Sequence, residues 1–187
     1  MLQSLFINHP DERFHIYLMH ASLTTEELAD IHRFIAANGH VLVTVTVEKD
    51  HFDEAPVVKH YAKEMYYRLL AYKFLPSDLD KILYLDPDIL IINDIRRLYD
   101  LDLSGYLYAA AYHDRISTTE INKLRFRPYD IKAYYNTGVL LMNLQLQREA
   151  VDKQAIYDFV EENKTKLILP DQDIFNALYS KAVKNID

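Results

Sequence analysis

Two aspartates, Asp86 and Asp88, flank a proline inside an apolar stretch, KILYLDPDILIINDI (81–95). A carboxylate buried without a partner is costly enough to protonate or to acquire one. Two hard oxygen ligands side by side suit Mg²⁺ or Mn²⁺, which take one or two protein carboxylates and complete their shell with phosphate oxygens and water. On an extended backbone residues i and i+2 point to the same side, so the pair would aim together, with Cα atoms roughly 7 Å apart. Pro87 fixes its own φ and biases Asp86 toward extended geometry. The competing reading is a turn whose aspartates cap backbone donors; apolar runs on both sides weigh against a mere surface turn. An EF-hand is excluded, because the glycine and regularly spaced oxygen ligands it needs are absent after Asp88. A phosphohydrolase using Asp86 as nucleophile is a further rival. Its D-x-D belongs on a first strand with a small or hydroxyl residue two places on, whereas this chain has a preceding α/β segment and Leu90.

The composition bounds the chemistry. With 187 residues, half hydrophobic and a quarter charged, the chain is expected to be one globular domain with one sizeable core. Three glycines are too few for a glycine-rich phosphate loop. A formal net charge of −7 argues against nucleic-acid binding, although a cation could still bridge carboxylates to an anionic ligand. There is no cysteine, hence no disulfide, thiolate metal site or cysteine nucleophile, which suits a cytoplasmic protein. No apolar stretch approaches about 20 residues, so none is expected to span a membrane. The start, MLQSLFINHPDER, lacks the basic and long apolar regions of a signal peptide.

The elements that must position the aspartates follow from pattern. Leu2, Leu5 and Phe6 share a helical face that Pro10 ends. Residues 13–21 alternate as a strand. TTEELADIHRFIAANGH is the clearest helix: Thr24 and Glu27 have capping-box spacing, Leu28, Ile31 and Ile35 form a stripe, and Asn38-Gly39 supplies a stop. VLVTVTV (41–47) is a β-branched strand, and a helix is expected from about Val58 to Phe74. KILYL (81–85) reads as a buried strand and ILII (89–92) as another; 106–112 and 133–144 are further strands, 151–163 and 171–182 helices. Alternation of this kind predicts an α/β fold with a mostly parallel central sheet, and its strand ends are where ligands bind.

Four separated stretches, in order and at matching spacing, resemble glycosyltransferase family 8. They are YYRLLAYKFLP (66–76), KILYLDPDILIINDIRRLYDLDL (81–103), YYNTGVLLMNL (134–144) and LILPDQDIFNAL (167–178). The resemblance implies a GT-A fold, the Rossmann-like fold of nucleotide-diphospho-sugar transferases, and a retaining, UDP-sugar-dependent hexosyltransferase acting on a glycan or other hydroxyl acceptor. It implies that Asp86 and Asp88 hold Mn²⁺ or Mg²⁺ on the donor diphosphate, with Asp86 also near the ribose. Arg68 would contact the donor sugar or phosphates, and Asp114 would lie beside the sugar hydroxyls. Asn136, Thr137 and Gly138 would form a wall under the transferred sugar. Asp171 would bind sugar hydroxyls, with Gln172 nearest the anomeric carbon.

Each of these residues also has a plain structural reading. Arg68 could pair with Glu64 one turn back. Gly138 could mark a bulge. Asp171 could be a helix N-cap and Asp173 a carboxylate favouring the helix dipole. Asn136, expected buried in a strand, needs partners for its amide. His60 and His113 are expected at the surface and outside the metal site. The family's first strand, with its uracil-binding residues, and its later metal-binding histidine and diphosphate lysine have no counterpart here. The chain is therefore expected to be the middle of the domain, either a fragment or a binding-only member. The sheet edge left by the missing strand could drive self-association.

Overall fold

The computed structural model of this protein describes residues 1–48, 52–56, 63–112 and 116–186, side chains of 63, 116 and 117 excepted. They form two compact units: Met1–Glu54 with Pro87–Asp94, and Ala55–Asp86 with Ile95–Asp187.

The first unit is a strand–helix–strand repeat preceded by a short helix, α1 (Leu2–Asn8). Strands β1 (His15–His20) and β2 (Val41–Thr46) pair in parallel, His15 opposite Val41. Between them runs α2 (Thr25–Ala37), closed at its N-terminus by the capping box expected of Thr24 and Glu27. At the other end Gly39 has φ +81°, a conformation that glycine adopts without a Cβ penalty, and the N–H of His40 returns to Ile35 O at 3.2 Å. Phe6, Phe14 and His40 cluster under this turn, the Phe6 and His40 rings 3.9 Å apart.

Residues 89–92 are not a strand, contrary to the apolar pattern. Only Ile91 is buried, while Leu90 and Ile92 stand exposed. The backbone finds other partners: Ile91 N–H donates to Ser4 Oγ at 3.0 Å, and Asn8 Nδ2 donates to Ile91 O at 2.9 Å. Side chains of α1 thus satisfy the groups that a neighbouring strand would have taken.

The second unit holds a four-stranded sheet in the order β3-β5-β4-β6, from β3 (Lys81–Leu85), β4 (Tyr108–Ala111), β5 (Val139–Asn143) and β6 (Val183–Ile186). The α/β character is as expected, and β4–β6 pairs in parallel, as β1–β2 does. β3, β4 and β6 point the same way, as a mostly parallel sheet requires, and β5 alone runs antiparallel to its two neighbours. Register explains the core. Leu83, Leu141 and Ala109 lie side by side on one face and pack with Leu103. Ile82, Met142 and Tyr108 line the other, where the Tyr108 ring meets Phe175 edge-on at 4.8 Å.

Helices α3 (Tyr67–Leu70), α4 (Arg96–Tyr99), α5 (Ile116–Arg125), α6 (Leu144–Ala150), α7 (Lys153–Asn163) and α8 (Pro170–Tyr179) complete the unit. The helix expected over 58–74 is not continuous. Its first residues lie outside the described ones, and from 63 to 73 the chain forms a 3₁₀ turn, the single turn α3 and another 3₁₀ turn. Leu70, at φ −118° and ψ 15°, leaves helical geometry and breaks the ladder there. No helix among the described residues is long and apolar enough to cross a membrane.

Candidate functional site

The antiparallel register of β3 on β5 is what joins two of the four motifs. Leu85 lies opposite Val139, and the pairing continues one step further, with Asp86 N–H donating to Gly138 O at 2.9 Å. Asp86 and the N-T-G segment therefore meet at the end of the sheet. A Cβ added at Gly138 would stand 3.0 Å from Asp86 Oδ2 and 3.1 Å from Asn136 Oδ1. Glycine is needed here because the carboxylate approaches the backbone, and no bulge is involved. Asn136 accepts the Gly138 N–H at 2.7 Å through its Oδ1. It is exposed and lies in a bend before β5 rather than buried in a strand, because this local turn supplies the amide with its partner.

Arg68 draws in the other two motifs. Its Nη2 donates to Asp86 Oδ1 at 2.8 Å, and its Nη1 lies 3.0 Å from Asp171 Oδ2, 3.0 Å from Thr137 O and 3.1 Å from Thr137 Oγ1. Thr137 Oγ1 donates in turn to Asp171 Oδ2 at 3.2 Å. Among the described residues no ion pair joins Arg68 to Glu64, which is exposed. Glu64 sits in the 3₁₀ turn before α3, where side-chain spacing differs from that of an α-helix. The guanidinium also lies over the Tyr84 ring, 4.9 Å from its centroid. One guanidinium among two carboxylates leaves the cluster acidic.

Tyr84 is a member that the sequence pattern did not single out, although it sits two residues before Asp86 in the same strand. Its hydroxyl donates to Asp86 Oδ1 at 2.7 Å. Burial pushes its pKa up, the Arg68 charge opposes this, and the bond to Asp86 adds to the rise. The phenol thus stays a donor at neutral pH.

Asp86 Oδ2 takes no hydrogen bond among the described residues, so one hard oxygen is open. Asp88 is exposed, and Pro87 and Asp88 form a turn rather than extended backbone. The same-side argument for the pair therefore does not hold; a proline that fixes φ favours such a turn. No group of three or more His, Asp or Glu among the described residues could enclose a metal. The donor set fits an ion that takes one or two carboxylates and completes its shell with phosphate oxygens and water.

The last motif opens α8. Pro170 occupies its first turn and Leu169, not Asp171, is the N-cap, without a side-chain cap. Asp171 lies inside the helix and is turned to Arg68. Gln172 is not gathered on Arg68; with Thr118, Asn122, Arg125, Tyr134, Ile168 and Leu169 it lines a cavity of about 370 Å³. Asp173 does more than favour a helix dipole: it is fully buried and accepts from Arg125, from Tyr134 and from two backbone N–H groups. Asn176, also fully buried, grips the Tyr135 backbone on both sides, its Oδ1 2.6 Å from N and its Nδ2 2.9 Å from O. A polar residue four places after Gln172 on an apolar helix was the signal for it; Arg125 had none. Asp114, His60 and His113 lie outside the described residues.

Similarity to known proteins is consistent over the whole chain. It is 24% identical over 186 residues to General stress protein A of Bacillus subtilis (strain 168), covering 95% of this chain and 63% of that protein. It is 26% identical over 146 residues to a lipopolysaccharide 1,2-glucosyltransferase of Escherichia coli (strain K12), covering 77% and 43%. Its fold superimposes with a TM-score of 0.86, at 27% identity, on the galactosyltransferase LgtC in complex with donor and acceptor sugar analogues, covering 98% of this chain and 66% of that one. The chain thus spans less than two thirds of the length of these relatives. Its α/β fold is of the GT-A type. The profile of glycosyl transferase family 8 matches residues 1–187, and the chain belongs to that family.

Proposed function

We propose that this chain is a metal-dependent retaining glycosyltransferase that moves a hexose, glucose or galactose, from a UDP-sugar to a hydroxyl of a glycan or similar acceptor. The observation that carries the reading is Arg68, which binds one residue from each of the other three motifs. The similar proteins that act on glucose or galactose supply the sugar class. The setting proposed is the cytoplasm, with self-association through a sheet edge.

Arg68 would bind the donor's phosphates or sugar, oriented by Asp86 and Asp171. Asp171 and Asp114 would bind sugar hydroxyls, and Asn136, Thr137 and Gly138 would wall the sugar from beneath. Mn²⁺ or Mg²⁺ held by Asp86 Oδ2 and Asp88 would offset the charge that develops on the departing diphosphate. Gln172 is an amide and a poor nucleophile. The acceptor hydroxyl therefore attacks from the face that the diphosphate leaves: the bond from C1 to the phosphate oxygen breaks, the bond from C1 to the acceptor oxygen forms, and the acceptor's proton passes to the leaving phosphate. The oxygens of Gln172 and Asp171 stabilise the positive charge on the sugar meanwhile.

Calorimetric titration of UDP with Mn²⁺, then with EDTA, tests the reading. Binding that needs the metal and disappears in Asp88→Ala is the expected result. Absence of binding in every condition would remove the donor site from this chain. Binding without transfer or UDP-sugar hydrolysis would make it a binding-only member. Phosphate release from a simple ester, abolished by Asp86→Asn, would point instead to a phosphohydrolase.

A further inference from the structure

We propose that Asp173, clamped by Arg125 and Tyr134, is a positioning residue that fixes the backbone from which Asp171 and Gln172 project. The inference rests on the glycosyltransferase reading of those two residues. Asp173 Oδ1 accepts from Arg125 Nη2 and from the Tyr134 hydroxyl at 2.5 Å. Its Oδ2 accepts from the N–H groups of Ile168, at 2.8 Å, and Leu169, at 3.1 Å. An ionised carboxylate offers about four lone-pair sites, and these donors take two on each oxygen. No site is left to bind a cation or to attack a carbon. Asp173 therefore acts through what it holds, despite standing in the same D-Q-D as Asp171.

What it holds is the entry to α8. The first turn of a helix has N–H groups without intrahelical partners, and Leu169 brings no side-chain cap. Asp173 reaches back to supply one, and so fixes the two residues before Pro170, Asp171 and Gln172. The clamp also reaches outward. Arg125 ends α5, and Tyr134 precedes the bend that carries Asn136, Thr137 and Gly138. One residue further on, the Tyr135 backbone is gripped by Asn176, three residues beyond Asp173. The two successive residues that lead into the bend are thus attached to α8, which sets the spacing between Thr137 and Asp171 around Arg68.

Removing Asp173 itself could unfold the chain, so the test alters its donors. Tyr134→Phe deletes one hydrogen bond at nearly constant volume, Arg125→Met removes the charge, and Arg125→Lys keeps it. Three quantities are measured: amide exchange at Ile168 and Leu169, the Kd for UDP with Mn²⁺, and kcat and KM for UDP-glucose hydrolysis. In Arg125→Met the two amides should exchange at least about tenfold faster. Its kcat should fall by about tenfold to a hundredfold while the UDP Kd stays within about twofold. Tyr134→Phe should shift in the same direction by less, and Arg125→Lys should recover part of the loss. Unchanged exchange, or faster exchange with wild-type kcat, would overturn the clamp alone. A wild-type chain with neither UDP affinity nor hydrolysis would overturn the glycosyltransferase reading, and the clamp as a functional device with it.

Discussion

Asp86 and Asp173 are each held by an arginine and a tyrosine on one carboxylate oxygen, and they end in opposite states. Asp86 accepts from Arg68 and Tyr84 through Oδ1 and keeps Oδ2 open, partly exposed at the end of the sheet. Asp173 accepts from Arg125 and Tyr134 in the same way, but its Oδ2 is closed by two backbone N–H groups and no part of it reaches solvent. Residue types alone do not separate the two. What separates them is the second oxygen, and with it the capacity to take a ligand. A saturated carboxylate stabilises; an unsaturated one beside an arginine can act.

Deleting each carboxylate should give unequal losses. Asp173→Ala leaves Arg125 without its partner and should cost about 3–5 kcal/mol, the penalty for breaking a buried ion pair. Asp86→Ala should cost only about 1 kcal/mol, because Arg68 retains Asp171 and Thr137. Urea unfolding of the two variants checks this, and equal losses would break the comparison.

Alkaline pH probes the two tyrosines. Burial is the largest cause of the raised pKa at both Tyr84 and Tyr134, from an ordinary value of 10.0. Above pH 10 the folded state binds more protons at these sites than the unfolded state does. Their contribution to stability is therefore complete below pH 10 and is lost as pH rises toward the folded values. Each should lower the unfolding free energy by roughly 1.4 kcal/mol per pH unit in that window. Unfolding curves between pH 9 and 11 for Tyr84→Phe and Tyr134→Phe should each lack one such share. A slope unchanged by either substitution would contradict the burial argument.

Gly138→Ala sharpens the contrast from the ligand side. Its Cβ would press on Asp86 Oδ2 at 3.0 Å, so the carboxylate must move, at a stability cost of about 1 kcal/mol. Metal-dependent UDP affinity should nevertheless drop by about tenfold or more. Calorimetry showing wild-type affinity would mean that the open oxygen is not the one that matters. The smallest stability effect is expected for Asp86→Asn. It should hold Tm within about 2 °C while losing the metal-dependent part of UDP binding.

Much of this architecture is written in local pattern. The Thr24–Glu27 cap, the Gly39 stop and the KILYL and VLVTVTV strands depend on residues within a few positions of one another. Hydrogen bonds and side-chain periodicity act over that range, so the sequence determined these elements, whereas Arg68, Asp86, Asp88, Asp114, Asn136, Thr137, Gly138, Asp171 and Gln172 came together as candidates only through the resemblance to glycosyltransferase family 8. Tertiary structure decided how they meet. Arg68 had Glu64 four residues away, yet bonds to Asp86 and Asp171, which only the register of β3 on β5 and the placement of α8 bring near. Ile91 has the apolar neighbours of a strand, but its backbone groups bond to the side chains of Ser4 and Asn8 instead. Asp86 and Asp173 look alike in the chain, and differ because one ends a sheet while the other lies inside a helix start. Each outcome turns on which distant groups the tertiary structure places within bonding distance, and that placement has no local signature.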